Sequence, residues 1–439
     1  MKPAPAEVLR ALPGELVAPT RRLLEAADAR RLEVYLVGGP VRDLLLGRKL
    51  RDVDLVVEPR GEVGAPELAR ETCAPGLRAV AHERFGTASL MVSGSGAAVD
   101  LATVRSESYA HDGALPRVAP GALEDDLRRR DFTVNALALP LSAAARSRHA
   151  GVVDVSGGLA DLASRKLRVL HPRSFHDDPT RALRAARLAS RLGFAPTRGT
   201  LLALRAALRD GVFGRVSGER LRAELVKLFD DARDGLDPAR ALWLLDGWHV
   251  LGALEPGLRL ERSAVTPLRR LARETAEPSW PAPRWRPWLA GLSVWLAPLE
   301  PGLRRAALRR LAVRGEPASG VAGFPRQRDA WLRALSRARG RGAVDAALAG
   351  ADEDRLHALH AVAPAPARRR IARWAAEDRG RRPPVDGRDL VRLGLSGPAV
   401  GRALRRIRTA WLDGAVRTRE EALALAGELL RGRARRAGG

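Results

Sequence analysis

Asp52 and Asp54, in RDVDLVVE, stand one residue apart just downstream of a glycine pair in YLVGGPVRDLLLG. A β-strand sends alternate side chains to the same face, so Asp-Val-Asp puts both carboxylates on one side and Val53, Leu55 and Val57 on the other. Two carboxylates so placed form a clamp for divalent cations. Gly38 and Gly39 lie between the apolar run Val34 to Val37 and a segment with helical patterning, Val41 to Leu46. Backbone N–H groups exposed at such a turn can hold phosphate oxygens. Together the two elements describe a site for a nucleoside triphosphate carried on magnesium. Singly each is weak, since an acidic pair beside Arg51 also reads as a solvated strand end and Gly-Gly as a plain turn. The order strand, Gly-Gly, helix, strand with D-x-D sets each part where a triphosphate requires it, and that order carries the reading.

A second constellation is DDLRRRDFTVNALAL, Asp125 to Leu139, where Arg128, Arg129, Arg130 and Asp131 directly precede an apolar helical or strand segment. Asp131 followed by Thr133 and Asn135 has the form of a helix cap, and the arginine run that of a solvated face. Next to a triphosphate site, guanidinium groups neutralise phosphate charge, and Asp or Asn can bind ribose hydroxyls. Farther on, in HDDPTRALRAARLASRLGF, Asp178 precedes Pro179 and Arg181 follows three residues later, which brings both side chains to a helix N-terminus. Capping is one use for Asp178. A carboxylate beside a guanidinium also offers an acceptor next to donors, matching the amino group and adjacent ring nitrogen of cytosine and adenine. Uracil and guanine present the opposite pattern, so such a pair selects C and A without a template. His176-Asp177 hints at a metal phosphohydrolase, but the 8 histidines are scattered and supply no further ligands at suitable spacing.

The elements that must position these residues follow from pattern and composition. A chain of 439 residues exceeds one ordinary core and predicts two to four domains. Residues 14 to 30 read as a helix leading into the first strand. From 32 to about 140 short β-like runs alternate with helical pieces: Val53 to Val57, Leu77 to Ala81, Ala88 to Val92 and Ala97 to Val104. The stretch between Arg105 and Arg128, rich in Gly, Pro and Ala, reads as a long loop, mobile or functional. After Asp154 amphipathic helices follow at Pro179 to Leu192, Leu201 to Arg209, Gly218 to Leu228 and Pro238 to Leu245. EPSWPAPRWRPW, with Trp280, Trp285 and Trp288 among prolines, interrupts this run. Its tryptophans could stack on unpaired bases, but burial tendencies favour anchors that fix a loop to the helical core. The last residues, RGRARRAGG, read as a disordered basic tail.

The hydrophobic fraction of 46% suits a globular protein, and the wealth of Ala, Leu and Arg predicts a mostly helical one. The formal charge is +25, and only Lys2, Lys49, Lys166 and Lys227 among the 76 basic residues are lysines. Such an excess attracts polyanions, and arginine adds forked phosphate recognition and base stacking, so nucleic acid is the natural partner. A genome rich in Arg codons would explain the choice of Arg but not the surplus of positive charge. Cys73 is the only cysteine, which excludes an internal disulfide and speaks against a thiolate zinc site. The N-terminus lacks an apolar signal core and no stretch approaches a membrane span, which predicts a soluble cytoplasmic protein.

These residues also match a known pattern. LVGGPVRDLLLGRKLRDVDLVV, VDLATVRSESY, RRRDFTVNALAL, DVSGGLADLASRKLRVL and DDPTRALRAARLASRLGF occur in that order, over roughly residues 20 to 240. The chain thereby resembles the bacterial class II tRNA nucleotidyltransferases, the CCA-adding enzyme group that includes bacterial poly(A) polymerases. PPVDGRDLVRLGLSGPAVGRALRRI is a weaker echo of the tail of the same enzymes. The resemblance implies an α+β fold: a nucleotidyltransferase head with a small mixed sheet at 1–150, a helical neck at 151–240, a helical body at 241–365 and a helical tail at 366–439. It implies that Asp52 and Asp54 bind two Mg2+ ions, with Asp100 as a third carboxylate. Gly38, Gly39 and Arg42 match residues that hold the triphosphate, and Arg130, Asp131 and Asn135 the motif around ribose and phosphates. Asp178, Arg181 and Arg184 match the base-selecting motif, in which Asp177 replaces the usual Glu.

The implied reaction is template-independent addition of C and A, from CTP and ATP, to the 3′ end of tRNA held by its acceptor stem and elbow. No obligate protein partner and no membrane is implied. Within the family the alternatives are a CC-only or A-only enzyme or a poly(A) polymerase; ERFGTASL, Glu83 to Leu90, lacks the Arg-rich stretch of the polymerases. The segment between Arg105 and Arg128 is the candidate for the switch from C to A. From another class, a non-catalytic RNA-binding protein would share the basic surface but not the retained carboxylates. A small-molecule nucleotidyltransferase would share D-x-D but has no use for the long basic helical half.

Overall fold

The structure, a computed structural model, describes residues 5–108, 111–114, 117–282 and 284–437. The chain divides into two compact units, Met1–Val216 and Ser217–Gly439, a coarser division than the four parts expected.

In the first unit, α1 (Pro5–Ala11) and α2 (Gly14–Ala29) lead into β1 (Glu33–Val37), α3 (Gly39–Leu45), β2 (Val53–Glu58) and α4 (Ala65–Glu71). Then come β3 (Leu77–His82), β4 (Thr87–Val92) and β5 (Ala98–Thr103), followed by β6 (Arg105–Ser108), β7 (Arg117–Pro120) and α5 (Leu123–Arg128). β8 (Leu137–Pro140), α6 (Ala143–Arg148), β9 (Val153–Asp154), α7 (Gly158–Ala163), α8 (Ser174–Asp177), α9 (Arg181–Leu192) and α10 (Arg198–Arg209) complete it. Seven strands form one sheet in the order β3-β4-β5-β2-β1-β8-β9. β2 and β5 run parallel and every other neighbouring pair antiparallel, so the sheet is mixed, as expected.

The sheet has two apolar faces, and their register fixes where Asp54 points. Val53, Leu55 and Val57 pack with Val34, Leu36, Val99 and Leu101 under Leu16, Leu23 and Leu68 of α2 and α4. Val56 faces the other way, with Tyr35, Val37, Ala138 and, from α5, Leu123 and Leu127. Asp54 shares the parity of Val56. Burying a Val or Leu fully is worth about 1.5–3 kcal/mol, so a one-residue slip that exposed three such residues of β2 would cost several kcal/mol. The aliphatic residues thereby hold Asp54 in place. Its neighbour Asp52 precedes the first ladder pair, Val53 with Val99, and so stands just outside the strand rather than within it.

The stretch between Arg105 and Arg128 is not a long loop. β6 and β7 pair antiparallel, Glu107 opposite Val118, and α5 follows at once. The two four-residue strands, RSES and RVAP, carry no alternation of polar and apolar residues that would set them apart from loop composition. Tyr109, Ala110, Leu115 and Pro116 of that segment lie outside the described residues.

The second unit is helical throughout, beginning with Gly218–Asp230, Pro238–Gly247 and Arg262–Ala276. The tryptophan segment anchors a loop to this core: Trp280 and Trp285 are buried and stack on the two sides of the His357 ring, with centroids 4.2 and 3.9 Å away. Part of the arginine surplus is structural. Buried Arg304 donates to the carbonyls of Leu296, Ala297, Leu299 and Ala322, closing helix ends that water cannot reach. Arg408 likewise forks onto Asp345 at 2.7 and 2.8 Å. The final helix runs Arg419–Ala437, so the basic run from Arg431 continues a helix where a disordered tail was expected; Ala, Leu and Arg are strong helix formers. No helix among the described residues is long and apolar enough to cross a membrane.

Candidate active site

Gly38 ends β1 and opens α3 with φ +75°, a conformation that glycine adopts without strain. A Cβ there would lie 2.8 Å from Arg130 Nη1, so the residue type lets that guanidinium settle against the turn. The Gly38 N–H donates to the Leu137 carbonyl at 3.1 Å, tying the turn to β8. Arg130 is held by Asp126, which accepts from its Nη2 at 2.8 Å and, on the other oxygen, from Arg129 Nε at 2.9 Å. Burial would raise the carboxyl pKa of Asp126; the charges of Arg130 and Arg129 outweigh it and hold it below the usual range. Asp126 is absent from the residues singled out by sequence. The i, i+3 and i, i+4 spacing to the two arginines is a signal that could have found it.

Asp54 stands opposite Asp100 in the parallel β2–β5 pairing. Its carboxyl pKa is pushed up to about 6, first by burial, then by the negative charge of Asp52 and less by that of Asp100, while Arg130 and Arg184 oppose the rise. Asp52, Asp54, Asp100, Arg130 and Arg184 therefore share one electrostatic neighbourhood. Asp100 is exposed and accepts from the Ser89 hydroxyl, across the β4–β5 pairing, at 2.5 Å.

Asp131 is the hub of the second constellation. One oxygen accepts from the Phe132 N–H at 2.8 Å and Asn135 Nδ2 at 2.9 Å; the other accepts from Arg184 at 2.7 Å. Burial alone would raise its pKa, but the charge of Arg184 and the hydrogen bonds from Asn135 and Arg184 bring it down to about 2. It does not cap a helix: the segment makes a short 3-10 turn, Thr133–Asn135, and enters β8. Arg42, expected at the triphosphate, is only 3% exposed. It donates to Asn135 Oδ1 at 2.5 Å and to Asp43 at 2.9 Å, which places it beneath the glycine turn.

Asp178 stands just before α9, which Arg181 opens. Asp178 Oδ1 accepts from the Thr180 N–H at 3.0 Å and its hydroxyl at 2.6 Å, a turn just ahead of α9 whose N-cap position is Thr180. Arg181 is buried and donates to Ser174 Oγ at 2.7 Å and the Arg129 carbonyl at 2.9 Å, joining α9 to the end of α5. His176 is engaged with Asp210 at 2.8 Å, outside this constellation.

Among the described residues no three His, Cys, Asp or Glu groups gather closely enough to hold a metal by themselves. Magnesium, however, is commonly held by one or two carboxylates with water and phosphate oxygens completing its shell. Asp52 and Asp54 fit that role chemically: two hard oxygen donors whose mutual repulsion, visible in the raised pKa of Asp54, a divalent cation relieves.

Residues 34–168 match the poly A polymerase head domain. The chain is 39% identical over 251 residues to an A-adding tRNA nucleotidyltransferase of Geobacter sulfurreducens, covering 57% of this chain and 27% of the relative. A CC-adding tRNA nucleotidyltransferase of Deinococcus radiodurans is 42% identical over 246 residues, 54% of this chain and 61% of its own length. The chain thus spans between about a quarter and three fifths of these two relatives' lengths. Among solved structures, an apo form of a CCA-adding enzyme is 29% identical with TM-score 0.75, covering 97% of this chain and 98% of that one. The Thermotoga maritima CCA-adding enzyme complexed with tRNA is 28% identical with TM-score 0.70 over the same shares, 97% and 98%. The mixed-sheet head with its retained motifs and these likenesses agree: residues 34–168 form a poly A polymerase head domain, in a chain similar to tRNA nucleotidyltransferases.

Proposed function

We propose that this protein adds C and A nucleotides, taken from CTP and ATP, to the 3′ end of tRNA without a nucleic-acid template. The observation that carries the proposal is Asp54: a half-buried carboxylate that feels the negative charges of Asp52 and Asp100 and, against them, the positive charges of Arg130 and Arg184. That juxtaposition of cation-binding and phosphate-binding groups is what nucleotidyl transfer uses. Asp52 and Asp54 would hold two magnesium ions, which when bound supply charge stabilisation at the α-phosphate and lower the pKa of the RNA 3′-hydroxyl.

The chain's own residues do the positioning. Arg130, braced by Asp126 beside the Gly38 turn, neutralises triphosphate charge. Gly38 and Gly39 let the backbone approach the phosphates, and Arg42 supports that turn from below through Asn135 and Asp43. Asp131 and Asn135 hold Arg184 and the ribose side of the nucleotide. Asp178, Arg181 and Arg184 present acceptor and donors to the base edge, admitting C and A over U and G. Asp100, fixed by Ser89, adds negative charge at the edge of the site. The helical neck, body and tail, rich in arginine, grip the acceptor stem and elbow of tRNA by shape and phosphate contacts.

Two of the sequence relatives favour a second reading within the same chemistry, addition of CC alone or of A alone, since they are a CC-adding and an A-adding enzyme. One assay separates the readings. The protein is incubated with tRNAs ending before CCA, after C and after CC, each with a single nucleotide, and the ends are sequenced. Full CCA addition extends all three, a CC-adding enzyme stops before A, and an A-adding enzyme extends only the tRNA ending in CC. No extension of any of them, with tRNA still bound, would leave a non-catalytic RNA-binding protein.

A further inference from the structure

The side chains around the nucleotide site close into a ring. Arg184 donates to Asp131 at 2.7 Å, Asn135 to Asp131 at 2.9 Å, and Arg42 to Asn135 at 2.5 Å. Arg42 continues to Asp43 at 2.9 Å, and Arg191 donates to the other oxygen of Asp43 at 2.8 Å. Arg184 and Arg191 both belong to α9, seven residues apart, so they share one face two turns from each other, about 10 Å along the axis. The helix itself closes the circuit. Arg42, Asp43, Asp131 and Asn135 are all buried, so these bonds form away from bulk water, where geometry is strictly held.

We infer that Arg191 is a positioning residue for nucleotide choice: by gripping Asp43 at the far end of α9 it fixes the base-reading start of that helix against the glycine turn. The inference rests on the proposed reading of the site. In that reading the base is read from α9, by Asp178, Arg181 and Arg184, while the phosphates are held from α3 and the residues around it. A base edge can be discriminated only if these two supports keep a fixed separation. The start of α9 is tied by Arg181 to Ser174 and the Arg129 carbonyl and by Arg184 to Asp131; Arg191, two turns on from Arg184, ties the far end of the helix to Asp43 of α3, the helix that the glycine turn opens. Nothing in the local sequence marks Arg191, which lies ten residues beyond Arg181 and 148 from the residue it holds. A misplacement of about 1 Å can cost about a hundredfold in a positioned reaction, so slack of this kind is measurable.

The experiment uses the full chain as Arg191→Ala, Arg191→Lys and, as a control, Arg148→Ala. Arg148 forms an exposed pairing with Glu33 and Glu58 in the same unit, remote from the ring. Two quantities are read: kcat/KM for CTP and ATP relative to UTP and GTP on tRNA lacking its terminal residues, and equilibrium binding of CTP against UTP without RNA. Arg191→Ala should lose discrimination by about tenfold or more in both. Arg191→Lys, which keeps the charge but not the fork, should recover part of it, and Arg148→Ala should discriminate like the parent. Discrimination within twofold of the parent for folded Arg191→Ala overturns the inference; if that variant does not fold, parent-like discrimination in Arg191→Lys together with parent-like thermal stability does so. A parent protein that extends no tRNA and prefers no nucleotide overturns the proposed function itself, an outcome distinct from either.

Discussion

Asp54→Asn should make the metal-free protein more stable. In the folded chain the Asp54 carboxyl titrates near 6 rather than 3.8, because burial and the charges of Asp52 and Asp100 disfavour its ionised form. Between those two values the folded protein binds a proton that the unfolded chain does not, so stability falls as pH rises through the window. Above about pH 6 the ionised Asp54 costs up to about 3 kcal/mol, at about 1.4 kcal/mol for each tenfold change in the proton equilibrium. Its partly exposed edge is screened by water, so this is an upper value. Asn is nearly isosteric and uncharged, and removes the penalty. In a unit of about 200 residues each kcal/mol moves the melting temperature by about 2–4 °C. Calorimetric melts in EDTA at pH 8 should therefore place Asp54→Asn several degrees above the parent, and at pH 4 the gap should nearly close. Magnesium should raise the parent's melting temperature and leave the variant's almost unchanged. A variant that melts at or below the parent at pH 8, or one whose advantage is as large at pH 4, would refute the claim that Asp54 is held ionised against its environment for the sake of a cation.

Two further outcomes follow from other parts of the structure. Gly38→Ala forces a Cβ into a positive-φ position 2.8 Å from Arg130, which should destabilise the protein by about 1–3 kcal/mol in urea melts and weaken CTP binding; full affinity would separate Arg130 from the phosphates. The His357 ring, stacked between Trp280 and Trp285, is pushed down to about 3 by burial, with the charges of His360 and Arg379 adding to it. Because the unfolded imidazole takes a proton near pH 6.5, stability is whole above that value and is lost as pH falls towards 3, by about 1.4 kcal/mol per pH unit. All nine tryptophans lie beyond residue 216, so tryptophan fluorescence during urea unfolding reports the second unit, and His357→Phe should lose about 2 kcal/mol less than the parent between pH 7 and pH 5.

What was legible in the sequence is what local spacing determines. Val53, Leu55 and Val57 alternate with period two and gave their strand almost to the residue, and the apolar periodicity of α9 and α10 did the same for helices. Asp52, Asp54, Gly38 and Arg130 could be singled out as candidates because their order along the chain, strand, glycine turn, helix and strand, follows the order of the elements that carry them. Pairings between distant segments were not legible. Asp43 is held by Arg191, and Arg42, expected at the triphosphate, donates to Asn135, 93 residues away. The β6–β7 hairpin was lost among Gly, Pro and Ala because pairing with a partner, rather than intrinsic propensity, makes those residues strands. Basic residues after Arg431 looked like a tail because charge masked their helix propensity.

On the proposed function, Asp52 and Asp54 gather divalent cations beside a bound nucleotide. The most direct measurement is incorporation of labelled CTP into tRNA lacking its CCA end by Asp52→Ala and Asp54→Ala, at saturating magnesium, alongside tRNA affinity. Incorporation should drop at least about a hundredfold in each variant while tRNA binding, carried by the arginine-rich helices, stays within about twofold of the parent. Substantial incorporation by either variant would contradict the account.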